Sequence, residues 1–291
     1  VTTEVVGMTA LPVGASRPRR APLGRLLRSE LRWVFRRPRT LVGIGLLGLA
    51  PIVIGVATLF VTSGVTGDPE QGPPITALGG SALTLPVISL SMLLLFLLPL
   101  VASIAAADAI AGESASGTLR GLLVAPVGRL RLLAVKMVGV MAVITAAVLV
   151  ITVVAVVTGL ILHGTSGLVT LSGTTLSLGE SLGRVTVTVG WVLLQLWAVA
   201  AIALAVSACT EHPLVVLSTV IGGLIVIGIL GSLPVLDWLQ PFLLSDNWTA
   251  GADVLRDPVY TGDMGTSALR ALCYLVIGYS LAVARMATKD S

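Results

Sequence analysis

Six apolar runs dominate the chain, at 41–62, 81–107, 137–162, 185–208, 214–236 and 268–285. Each approaches or exceeds the ~20 apolar residues with which an α-helix crosses a bilayer core of roughly 30 Å. None alternates apolar and polar positions as the short strands of a membrane β-barrel do, so all six predict helices. Pro51, Pro86 and Pro99 fall inside the first two runs. They predict kinks rather than breaks, because neighbouring helices re-satisfy the freed backbone groups. The pattern therefore predicts an all-α integral membrane protein whose six-span transmembrane domain covers 41–286.

The stretch 21–40 follows a different period. Leu23, Leu26, Leu27, Leu31 and Val34 fall on one helical face, and Arg25, Arg28, Arg32 and Arg36 on the other. Pro38 should end this helix near Arg37. With Trp33 and Phe35 beside the arginines, the stretch reads as an amphipathic helix lying in a membrane interface. The alternative is simple topology signalling, with arginines that only hold the N-terminus inside. Residues 1–20 are expected to be disordered and 287–291 to form a short tail. No cleavable signal peptide is expected, because the first twenty residues lack a continuous apolar core and end in Arg17, Arg19 and Arg20.

Composition supports the membrane reading. Hydrophobic residues make up 55% of the chain and charged residues 11%, against about 25% charged in soluble domains. The net charge of +4 is explained by where the cations lie. One side of the six-span plan receives Arg17, Arg19, Arg20, Arg25, Arg28, Arg32, Arg36, Arg37, Arg39, Arg120, Arg129, Arg131, Lys136, Arg285 and Lys289. The other receives only Arg184, Arg256 and Arg270, against Asp68, Glu70, Glu180, Asp237, Asp246, Asp253, Asp257 and Asp263. The positive-inside bias then predicts that both termini are cytoplasmic, and nucleic-acid binding is not implied.

Cys209 and Cys273 form no CxxC, and His163 and His212 are expected on opposite faces of the bilayer, so no catalytic or metal centre is predicted. The spans carry almost no ionisable group, and Gln195 is the most polar large side chain within one. A charge at the bilayer centre costs roughly 2.5–3.5 kcal/mol on insertion scales, and ion-coupled transporters keep such charges for their mechanism. Ion-coupled transport, an acidic-ring channel and an intramembrane enzyme are all disfavoured.

The charged, glycine-bearing stretch GESASGTLRGLLVAPVGR, 112–129, interrupts this apolar chain between spans two and three. The second helix should continue through Asp108 and Glu113 until Gly117 breaks it. Ser116 or Thr118 can cap a new short helix, in which Leu119, Leu122 and Leu123 share a face, and Pro126 ends it. A plain turn needs no leucine face, so these leucines call for a partner surface. Glu113 itself reads equally as a solvated charge, and Arg129 and Lys136 equally as positive-inside anchors.

Glu113, Gly117, Thr118, Leu122, Leu123, Pro126, Val127, Arg129, Leu132 and Lys136 resemble the E-x-x-x-G-T-L-x-x-L-L-x-x-P-V-x-R-x-x-L-x-x-x-K pattern of ABC-2-type permeases. These are the membrane subunits of bacterial ATP-binding-cassette exporters. The resemblance extends to the amphipathic N-terminal helix, six spans and one prominent loop after span two. It implies that residues 113–125 form a coupling helix docking on an ATPase subunit, with 23–37 as the connecting helix beside it. The ATPase-coupling residues would be Glu113, Gly117, Thr118, Leu119, Leu122, Leu123, Pro126 and Arg129.

No GxxxxGK[ST] phosphate loop occurs, so ATP and Mg would act through a partner ATPase, and this chain is not expected to be an enzyme or to bind a cofactor. LSGTT, 171–175, lies in an outer loop and lacks the rest of an ATPase signature. The resemblance implies a permease of the bacterial cytoplasmic membrane, pairing with a second permease copy or homologue and exporting a drug, peptide or lipid-like cargo. The alternative is a non-transporting membrane scaffold that uses the same loop for another soluble partner.

In the outer segment 236–265, Asp246 is expected to cap a short helix ended by Pro258, with Trp238, Phe242 and Trp248 at the interface. By resemblance this segment forms a lid over the exit. Met92 with Phe96, and Trp191 with Gln195, are i, i+4 pairs that line a central path or simply pack.

Overall fold

The computed structural model describes residues 23–64, 81–115, 128–164, 168–170 and 174–288. The expected disorder of 1–20 and the helix predicted around Leu119–Leu123 lie outside the described residues.

α1 (Leu23–Arg36) is followed by α2 (Pro38–Gly64). A bent pair comes next, α3 (Thr84–Leu94) and α4 (Leu97–Ala109), and then the short α5 (Ala111–Ala115). α6 (Arg129–His163), α7 (Leu178–Cys209) and α8 (Pro213–Gly231) complete the middle of the bundle. Two 3-10 helices, Pro234–Phe242 and Trp248–Leu255, lead into α9 (Gly262–Thr288). Five helices are long and apolar enough to cross a bilayer, and α3–α4 taken as one bent span makes a sixth. The described residues contain no strand, only a single antiparallel bridge between Val169 and Thr175.

The bend in the second span is 59° and falls at Leu95–Phe96, where Phe96 leaves helical geometry (φ −146°, ψ −53°). Pro99 explains the position. It has no N–H to give, and its ring clashes with the carbonyl four residues back, that of Leu95. Pro51, by contrast, sits inside an uninterrupted α2.

α7 is the central helix. Its Ala-rich second half buries Ala198 to Ala201, Ala203 and Leu204. Small residues let backbones approach closely in membranes: a Cβ on Gly278 of α9 would press on the backbone of Ala201 and Ile202. α2 packs on α6 through a stripe of Ile44, Leu47, Gly48, Pro51 and Gly55, with Gly48 against Val150 and Gly55 against Thr158 and Leu162. The opposite face of α2 is exposed, including Val42, Leu46, Val53 and Phe60. That suits contact with lipid.

Four local expectations are corrected. The second span stops at Ala109, not Gly117, because Ile110 turns out of the helix (φ −122°, ψ −61°). Ser207 of α7 accepts the freed Ala111 N–H at 3.0 Å. α8 ends at Gly231, short of 236, as the chain turns into a 3-10 helix with Pro234 in its first turn. Asp246 caps nothing: Asn247, with φ 61° and no side-chain cap, precedes the second 3-10 helix, and Asp246 is drawn instead to Arg270 at 3.0 Å. α7 also begins earlier than 185, at Leu178, fixed by a capping box of Ser177 and Glu180.

Candidate partner-docking site

The sequence motif enters the described structure at Glu113. Its helix, α5, lies at the end of the bundle that also carries α1, so we call this the α1 end. Glu113 does not face solvent. Its side chain is 5% exposed and meets the Lys136 ammonium of α6 at 2.5 Å, while Glu30 of α1 meets the same ammonium at 2.8 Å. One lysine thus ties together the N-terminal helix, the segment after span two and the start of span three.

Each element brings its residue for a local reason. Glu30 is the only acid in 21–40 and lies on the leucine face, three residues after Leu27, so it turns inward with Leu27, Leu31 and Val34. Arg25, Arg28, Arg32 and Arg36 are all exposed on the other face. The break at Ile110 redirects α5, which buries Glu113 together with Ala111. Lys136 is two turns into α6, where it is buried and its ammonium is costly unless paired.

Burial is the dominant influence on Glu113. It raises the carboxyl above its ordinary value, against the hydrogen bond and charge of Lys136, while Glu30 adds to the rise. Around the lysine lie further contacts. Trp33 places its ring 5.1 Å from the Lys136 ammonium, and the Arg37 guanidinium stacks 3.2 Å from the same ring centroid. Desolvation lowers the Arg37 value, and neighbouring Arg39 lowers it further. Arg39 pairs with Asp108 at 2.9 Å.

Of the other motif positions, Gly117, Thr118, Leu119, Leu122, Leu123 and Pro126 lie outside the described residues, and Arg129 opens α6. Sequence reasoning did not single out Glu30, and it gave Trp33 only an interfacial place. The available signal was an acid set on the leucine face of an otherwise arginine-rich helix.

The two pairs considered for a central path are separated. Met92 and Phe96 are 60% and 53% exposed, on the outside of the bent span. Trp191 and Gln195 are buried. Trp191 donates to the Met264 carbonyl at 3.2 Å and the Ser267 hydroxyl at 3.0 Å, and Gln195 accepts from Trp248 at 3.2 Å.

At the opposite end, arginines hold the outer segment. Arg184 donates to the carbonyls of Val254 and Arg256 and to Asp257. Arg270 donates to the carbonyls of Leu243 and Asp246 and pairs with the Asp246 carboxylate.

Five apolar crossings among the described residues, six with the bent pair, and charge concentrated at their ends define a multi-pass membrane protein. Residues 52–277 match the family described as ABC-2 family transporter protein, and the chain belongs to that family. A probable ABC transporter permease protein, NosY, from Stutzerimonas stutzeri is 39% identical over 103 residues, covering 35% of this chain and 33% of that relative. The matched region thus spans about a third of NosY.

Proposed function

We propose that this chain is the permease half of an exporter and that the α1 end is its cytoplasmic, ATPase-docking end. Residues 113–125 serve as the coupling helix, presenting Leu119, Leu122 and Leu123 to a separate ABC ATPase, which binds ATP and Mg. The cargo is a drug, peptide or lipid-like molecule taken from the cytoplasm or inner leaflet. Two permease copies, or this chain and a homologue, complete the pathway in the bacterial cytoplasmic membrane.

The observation that carries this reading is the buried Glu30–Lys136–Glu113 cluster. A loop that merely joined two spans would have no use for a desolvated, charge-paired root. A loop that receives force has one. Closure of the ATPase would push on 113–125, and the lysine would pass that displacement to α1 and α6 as one body. Gly117 and Thr118 would set the turn into the helix, Pro126 would end it, and Arg129 would anchor the return to span three. Arg25, Arg28, Arg32 and Arg36 face lipid phosphates and water at the same level, consistent with positive-inside orientation.

The test is co-expression with an ABC ATPase from the neighbouring genes, detergent co-purification and reconstitution. Glu113→Ala should retain the complex while lowering permease-stimulated ATP hydrolysis several-fold. Absence of any ATPase in the purified complex, with hydrolysis indifferent to Glu113→Ala, would favour the scaffold reading instead.

A further inference from the structure

Between α1, α2, α4 and α6 lies a cavity of about 200 Å³. Its mouth is charged and its wall is apolar. The charges on its lining are Arg37, Arg39 and Lys136 against Glu30 and Asp108. Glu30 sits on Lys136 and Asp108 on Arg39. Glu113 also holds Lys136 but is not part of the lining. Arg37 is the cation left over. Its guanidinium lies over Trp33, and among the described residues no carboxylate reaches it at ion-pair distance.

The apolar wall lies deeper in the membrane than the charges. Arg37 and Arg39 flank the start of α2, and Ile44 is five residues further, ~8 Å along the helix axis. Ile104 of α4 stands across the cleft and is 43% exposed, so the cleft is bordered by surface that faces the bilayer, while Val140 of α6 closes the back. Gly43 leaves the wall open: a Cβ there would meet nothing within 4 Å.

We infer that this cavity holds one anionic phospholipid from the surrounding leaflet. Its phosphate sits on Arg37, whose planar fork matches phosphate oxygens, with Arg39 at the rim. One acyl chain runs past Gly43 between Ile44, Ile104 and Val140. A free phosphate would use only the mouth. A zwitterionic lipid would use the wall but offer Arg37 no net charge. The lipid seals the seam between α1 and the spans beside the Lys136 cluster. This inference stands apart from the export reading, because it rests on the cavity and its charges and not on the cargo.

The test is native mass spectrometry of the full chain released from detergent, titrated with phosphatidylglycerol or with phosphatidylcholine of the same acyl chains. The wild type should retain one phosphatidylglycerol at about tenfold lower concentration than phosphatidylcholine. Arg37→Gln should erase that preference. Gly43→Leu fills the wall without touching a charge and should weaken both lipids about tenfold or more; it reads the site even if Arg37→Gln does not fold. Excess glycerol phosphate should displace neither lipid. Equal retention of the two lipids, a preference that survives Arg37→Gln, uptake unchanged by Gly43→Leu, or displacement by glycerol phosphate would each overturn the assignment.

Discussion

At the α1 end the buried cation is a lysine, and it holds two carboxylates from separate helices. At the opposite end the cations are partly buried arginines, and most of what they hold is backbone. Arg184 and Arg270 are 14% and 11% exposed, and each clasps carbonyls of the segment between α8 and α9. An ammonium is a compact point charge, suited to a place where carboxylates converge; a guanidinium offers a rigid fork of five donors, suited to pinning irregular chain. Helix packing differs in the same way. Near α1 the helices part around a cavity, and Gly43 faces open space. At the other end Gly159 of α6 lies so close to the Ala82 carbonyl that a Cβ has no room. One end is arranged around converging charge, the other around chain held by its carbonyls.

Lys136→Met should have the largest effect. It leaves Glu30 and Glu113 buried without their cation, a loss of about 3–5 kcal/mol for a broken buried pair. Thermal unfolding in detergent should show this variant well below Arg184→Gln, whose carbonyl partners can turn to other donors. If Arg184→Gln melts as low or lower, the contrast between the ends is wrong.

Next come two identical substitutions at opposite ends. Gly159→Ala must push on backbone and should cost about 1–3 kcal/mol as overpacking. Gly43→Ala meets nothing and should be neutral or stabilise by about 0.4–1 kcal/mol. Equal melting temperatures would mean the two ends are packed alike. Trp248→Phe should be comparable or milder, about 1–3 kcal/mol, because it strips the buried Gln195 carbonyl of its donor. Near-ultraviolet circular dichroism and melting of the purified protein would read it.

The smallest effect is a pH dependence confined to the α1 end. Burial holds Glu113 above its ordinary value. With the folded value above the unfolded one, its contribution to stability is fully present below the unfolded value. That contribution is lost as pH rises through the folded value. The stability difference between wild type and Glu113→Gln should therefore shrink as pH rises from the acid side. A difference that grows with pH would show Lys136 outweighing burial.

The apolar runs made the spans readable because a bilayer demands long, unalternating helices. The bend at Leu95–Phe96 was also within reach, since Pro99 marks the carbonyl it would strike. So was the early start of α7, because Ser177-x-x-Glu180 is a capping box on the page. The Lys136 cluster was not. Its partners are 106 and 23 residues away, and no periodicity carries a pairing across that distance. Asp246 misled for a related reason. Capping is a local preference, and a cation packed against the loop, Arg270, outcompeted it.

Docking of an ATPase at the α1 end, as proposed above, puts the leucine face of 113–125 in the interface. The most direct measurement is the affinity of the purified ATPase for this chain in lipid nanodiscs, comparing wild type with Leu122→Asp. Docking through that face should make Leu122→Asp bind at least about tenfold more weakly with an unchanged melting temperature. Unchanged affinity would contradict it.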